Sequence, residues 1–163
     1  MRWGSSFDDD PLCAPSPEIL DIEISTVCSG INNKPCSHCY KSNTSKGKNM
    51  TFETFKIIFD KFPIILTQIA FGIGNLDANP DLWKMMEYCR NNEKNIVIPN
   101  ITINGWKLTE KDAGKLARVC GAVAVSRYKP KDVCYDAVKK LNEASLKRRV
   151  RVRRKKITAK GIS

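Results

Sequence analysis

Four times along this chain a short apolar run is followed, after a polar or glycine-rich break, by a segment whose apolar residues recur at helical spacing. That alternation restricts the fold more than any single motif does. Residues Ile19 to Ile24 alternate apolar and polar as a strand does, and Thr51 caps a helix carrying Phe52, Phe55, Ile58, Phe59 and Phe62 on one side. A second strand is expected near Gln68 to Phe71, with a helix opened by Asn79 and Pro80 that turns Leu82, Met85, Met86 and Cys89 inward. A third strand lies within Asn95 to Ile103, and Thr109 caps a helix whose stripe is Ala113, Leu116, Ala117 and Cys120. Ala122 to Val125 forms the fourth strand, and Pro130 opens a helix with Val133, Ala137, Val138 and Leu141 as its apolar face. Four βα units predict an α/β fold with a parallel sheet, and such sheets bind ligands in the loops leaving the carboxyl ends of their strands.

The unusual residues gather at that edge. Cys28, Cys36 and Cys39 follow strand one; Gly72, Gly74 and Asn75 follow strand two; Asn104 and Gly105 follow strand three; Ser126 and Arg127 follow strand four. Three thiols in one loop hold a metal or an iron–sulfur cluster, and a four-iron cluster held by three of them keeps one iron open to another ligand. Zinc is the competing reading, with His38 or a distant cysteine as fourth ligand, because zinc closes a four-coordinate shell. His38 stands between Cys36 and Cys39, where adjacent side chains do not readily face one ion. Of the four remaining thiols, Cys89, Cys120 and Cys134 fall at helical apolar positions and read as buried core.

At 163 residues and 42% apolar content the chain is long enough for one core. Its parts are read as an extension over 1–18, the βα body over 19–142 and a basic tail over 143–163. The net charge of +11 is a terminal property: from Lys139 onward eleven Lys and Arg face one acid, Glu143, giving +10, whereas residues 1–138 carry seventeen against sixteen, giving +1. No run of about eighteen apolar residues spans a bilayer and no apolar signal core opens the chain, so a cytoplasmic protein that does not enter the membrane is expected. The tail, LKRRVRVRRKKITAKG, has three readings: a solvated terminus, a phosphate contact that reads no bases, or a charged fifth strand in Arg-Val-Arg-Val. An exposed last strand would favour self-association or a completing partner.

With these motifs in place, the chain resembles the radical S-adenosylmethionine (SAM) enzymes over roughly Ile19 to Lys140. PCSHCY (Pro35 to Tyr40) is similar to the end of the family's cluster loop, and FGIGNLDANPDLWKMMEYCR (Phe71 to Arg90) to its Gly-Gly-Glu-Pro segment and following helix. ITINGWKLTEKDAGKLA (Ile101 to Ala117) is similar to its Thr-Asn-Gly turn, and VAVSRY (Val123 to Tyr128) to its fourth-strand serine motif. Two departures stand out. Seven residues, SGINNKP, separate Cys28 from Cys36, more than the family's usual spacing, although closure entropy grows slowly with loop length. Ile73, Asn75 and Leu76 interrupt the glycine-rich turn and its glutamate, so contacts made there by backbone survive and a glutamate contact does not.

The resemblance implies a partial (β/α) barrel of about four units, short against a full barrel of the family. It further implies a [4Fe-4S] cluster on Cys28, Cys36 and Cys39, with S-adenosyl-L-methionine on the fourth iron. The backbone of Gly72, Gly74 and Asn75 would hold the methionyl amino group; Ser126 and Arg127 would hold the carboxylate; Asn104 would support the site, and Tyr40 would pack beside the cluster or touch adenine. One electron from a reductant such as a flavodoxin or ferredoxin would release a 5′-deoxyadenosyl radical that abstracts hydrogen from an unknown substrate. No side chain is singled out as catalytic. Two alternatives stand beside this reading: a non-catalytic iron–sulfur or zinc module that docks on nucleic acid through its tail, and a truncated, inactive remnant of the enzyme.

Overall fold

The computed structural model describes residues 17–159 except 35, 37, 38, 40, 63 and 128–130, with side chains to Arg148. In chain order the elements are β1 (Ile19–Glu23), α1 (Phe52–Phe59), β2 (Gln68–Gly72), α2 (Leu82–Asn91), β3 (Ile98–Ile103), α3 (Glu110–Val119), β4 (Val123–Val125) and α4 (Lys131–Ala159). The four strands form one sheet in the order β1-β2-β3-β4, every pair parallel. The expected α/β class and its parallel sheet are therefore present. Among the described residues no helix is long and apolar enough to cross a membrane.

Register explains why the two faces of the sheet differ. Ile22, Phe71, Ile101 and Val123 stand side by side, as do Leu20, Ile69 and Pro99, and all of these but Pro99 belong to or pack on the hydrophobic core. Because side chains alternate along a strand, the opposite face carries Asp21, Ala70 and Asn100 in one row and Glu23, Gly72, Thr102 and Ala124 in the next. Parallel sheets are usually apolar on both faces; here one face is small and polar. Phe55 of α1 links helix to sheet, its ring centroid 5.5 Å from that of Phe71 and fully buried.

Helix starts follow local chemistry. Thr51 accepts the backbone N–H of Thr54, and Thr109 accepts that of Asp112, as sequence predicts. The second helix differs. It begins at Leu82 rather than at Pro80, and the buried Asn79 bonds outward, donating to the carbonyls of Ile24 (2.8 Å) and Met50 (3.0 Å) while accepting from Asp81 N (2.9 Å). Asn79 thus ties the end of β1 to the start of α2, and Asp81 accepts the N–H of Phe52 at the head of α1.

Two further expectations change. Val138 is 39% exposed, and the inward face of α4 is made instead by Cys134, Ala137, Leu141 and Ala144. The Arg-Val-Arg-Val segment is not a strand: α4 runs through it to Ala159, so the 142/143 boundary falls inside one helix. Lys and Arg are good helix formers, and the segment continues a helix already begun at Lys131. Pro130, the expected helix opener, lies outside the described residues.

Cys89, Cys120 and Cys134 are buried free thiols, as expected. Burial pushes Cys89 and Cys120 from the ordinary thiol value of 9.0 up to about 12. Both therefore keep their protons in the folded chain where the unfolded chain ionises. The folded state binds more protons above pH 9, so stability is full below that pH and falls as pH rises toward 12. Melting temperature is expected to drop across that window, and iodoacetamide at pH 8 is expected to modify neither thiol until the chain unfolds. A melting temperature that is flat from pH 9 to 12 contradicts this assignment.

Candidate functional site

The segment 24–50 between β1 and α1 is long for a βα connection, and its backbone bonds show how it is held. It leaves the sheet with Ile24 N bonded to Gly72 O and doubles back. Thr26 N donates to Lys48 O, Cys28 N to Thr44 O, and Met50 N to Ile24 O, all at 2.9 Å. Gly47 is required on the return path, since a Cβ there would lie 2.2 Å from the carbonyl oxygen of Thr26. Between Cys28 and Cys36 the chain makes a tight turn. Ile31 and Lys34 exchange backbone hydrogen bonds around Asn32 and Asn33, whose φ angles of 55° and 56° are those of a two-residue hairpin turn. Ile31 is buried, so the turn is anchored.

A second tie joins this loop to the turn after β2. Asn75 is buried; its Oδ1 accepts from Ser29 N at 2.8 Å and from Ser29 Oγ at 3.2 Å, and its Nδ2 donates to Gly30 O at 3.0 Å. Cys28 lies between the bridged segments, and its sulfur accepts from Gly30 N at 3.3 Å. The same turn carries Gly74 against that cysteine: a Cβ at Gly74 would lie 2.6 Å from Cys28 Sγ.

These constraints hold the cysteine loop against the turn after β2. Cys28, Cys36 and Cys39 line a cavity of about 230 Å³ at the carboxyl edge of the sheet, together with Gly72, Gly74, Asn104 and Ser126. Asp21, Ala70 and Thr102, from the polar sheet face, line it too, as do Lys41 and Asn43 from the cysteine loop. Burial raises the Cys36 thiol above its ordinary range, and the neighbouring Cys28 and Cys39 push it further the same way. Among the described residues no group of three or more His, Cys, Asp or Glu side chains is gathered so as to hold a metal ion.

Seven of the ten site residues expected from sequence thus meet at one cavity: Cys28, Cys36, Cys39, Gly72, Gly74, Asn104 and Ser126. Asn104 is held by an Asx turn, its Oδ1 accepting Trp106 N at 2.9 Å, and Ser126 N is bonded to Ile103 O at 2.8 Å. Asn75 and Arg127 are not among the lining residues, the contact expected of Asn75 being through its backbone. The amide of Asn75 is spent on the cysteine loop, while the exposed Arg127 donates to Tyr135 Oη at 3.1 Å and stacks over that ring. Tyr40 and His38 lie outside the described residues. Ile73 and Leu76, on either side of Gly74 and Asn75, are buried in the core.

Sequence reasoning passed over Asp21, Lys41, Asn43 and Thr102. Asp21 and Thr102 had a signal, since polar residues inside parallel strands need a wet or liganded face. Lys41 pairs with Glu23 beside Gly72, where a Cβ would meet both side chains. Asn43 Oδ1 is buried without a hydrogen-bond partner among the described residues, an acceptor open to a donor from a bound molecule. Compared with known proteins, the chain matches no family model, no curated protein and no solved structure.

Proposed function

We propose that this chain is an iron–sulfur enzyme of the radical SAM type, built as a partial barrel. In this reading Cys28, Cys36 and Cys39 hold a [4Fe-4S] cluster and the loops after β2, β3 and β4 hold S-adenosylmethionine. The observation that carries the reading is the shared cavity, in which three thiols from one loop stand with Gly72, Gly74, Asn104 and Ser126 from three others. Zinc with His38 as a further donor is the alternative reading, and His38 lies outside the described residues. A cluster spreads its thiolates over several irons and so suits ligands ranged around a cavity.

The chain's own groups suit the rest of the ligand. Gly74 leaves room beside the Cys28 sulfur, and Gly72 lets a ligand approach the sheet edge. Ser126 offers a hydroxyl and Asn104 anchors its turn, while Asn43 Oδ1 would accept an N–H or O–H from the ligand. Asn75 acts as a positioning residue that locks Ser29 and Gly30, and through them Cys28. Lys41, paired with Glu23, would set the charge at the sheet face. When bound, the cluster supplies one electron for reductive cleavage of the sulfonium C–S bond; the protein orients the ligand and excludes water.

Anaerobic reconstitution with iron and sulfide, followed by reduction in the presence of SAM, tests the reading. The expected result is about four iron and four sulfide per chain, as a four-iron cluster requires, with 5′-deoxyadenosine formed. Zinc bound in place of iron with no SAM cleavage would identify a non-catalytic module. Cluster assembly without 5′-deoxyadenosine would identify an inactive remnant.

A further inference from the structure

At the opposite end of the molecule a second feature stands apart from the cysteine cavity. In a βα unit the helix runs back along the sheet, so the C-terminal ends of α2 and α3 lie at the amino edge of the strands. There Arg90, Asn91, Arg118 and Arg148, with Glu87, line an open groove of about 500 Å³. Arg90 Nε donates to Val119 O at 2.7 Å, and Arg148 donates to Ala117 O, so two guanidinium groups are fixed by the last turn of α3. Each spends one of its five N–H donors there. Arg118 is exposed and makes no hydrogen bond or ion pair among the described residues.

The groove is continuous with the basic end of the chain. Ala144 is the last described residue of α4 to pack on the core, Arg148 lies in the groove, and the helix continues to Ala159. Eight of the ten residues 147–156 are Lys or Arg. The arginine-lined groove surface thus leads, along the backbone of one helix, into a run of sequence rich in Lys and Arg.

We propose that this surface binds the sugar–phosphate backbone of nucleic acid without reading sequence, on the side of the molecule away from the cysteines. Protein interfaces deplete lysine and rely on aromatic or apolar anchors, and residues 147–156 offer only Val150 and Val152. Membrane-surface helices need a wide apolar face, which eight basic residues in ten do not leave. Phosphates need only positive charge at intervals, held by a scaffold. The absence of aromatic residues from this segment removes base stacking and leaves charge as the driving term.

The test uses the full chain without added iron, so its outcome is independent of the cluster reading. Fluorescein-labelled RNA and DNA oligonucleotides of mixed sequence are titrated by anisotropy at salt concentrations from about 50 to 200 mM, where log affinity falls linearly with log salt. RNA and DNA are expected to bind alike, and Arg118→Gln to lower the salt slope by about 1 without changing the melting temperature. Lys155→Gln with Lys156→Gln is expected to lower it by about 2. Four results overturn the proposal: no binding at the lowest salt; a slope unaltered by Arg118→Gln; displacement by polyglutamate at equal charge; or tighter binding to phosphatidylserine vesicles than to either oligonucleotide.

Discussion

Joint replacement of Cys28, Cys36 and Cys39 by alanine is expected to abolish iron retention after anaerobic reconstitution, and SAM cleavage with it, while the fold survives. None of the three is a core residue, and each is only partly buried. The loop is held by groups the replacement leaves in place: the Cys28 N–H to Thr44 O bond, the Ile31–Lys34 turn and the Asn75 amide. Surface and half-buried substitutions of this kind cost about 0.5 kcal/mol each, so melting temperature should fall by only a few degrees. Iron content and circular dichroism, measured on the same sample, separate lost ligands from lost structure. A folded triple variant that still retains iron and cleaves SAM would refute the ligand assignment.

Gly74→Ala carries the second large effect, and it arises from one atom. The added Cβ would sit 2.6 Å from Cys28 Sγ and 2.7 Å from Cys28 Cβ, closer than side-chain atoms pack. Cys28 cannot easily retreat, because its backbone is bonded to Thr44 and its neighbours Ser29 and Gly30 are clamped by Asn75. Overpacking of this kind costs about 1–3 kcal/mol. In the proposed site the strain falls on a cluster ligand, so SAM cleavage should drop by about tenfold or more, tenfold corresponding to about 1.4 kcal/mol. Gly114→Ala is the control, since a Cβ there meets nothing within 4 Å. Wild-type cleavage by a folded Gly74→Ala variant would show that Cys28 does not need its present position.

How much of this was legible beforehand differs from residue to residue. Helical periodicity named Phe55, Leu82, Met85, Met86, Ala113 and Leu116 as core, and all are fully buried. It misplaced Val138 because on a helix packed along one side a neighbouring position can turn outward without breaking the pattern. Asn79 was expected to open a helix, which is how asparagine behaves locally. The carbonyls its Nδ2 donates to, those of Ile24 and Met50, are remote in sequence, and no local rule can supply them. Asn75 is a similar case: its position beside the site was visible, but its use as a strut between two loops depends on where Ser29 and Gly30 lie.

What sequence alone determined is the order of elements and the edge at which chemistry-bearing residues collect, because both follow from local periodicity and the handedness of βα units. Tertiary structure decided which of those residues face one cavity, that the side chains of Arg127 and Asn75 bond elsewhere, and that the basic end continues α4 beside an arginine-lined groove. The physical reason is range. A strand or helix is selected by neighbours a few residues apart, whereas a binding site is selected by contacts between loops whose meeting depends on register, burial and the pairing of polar groups across the whole sheet.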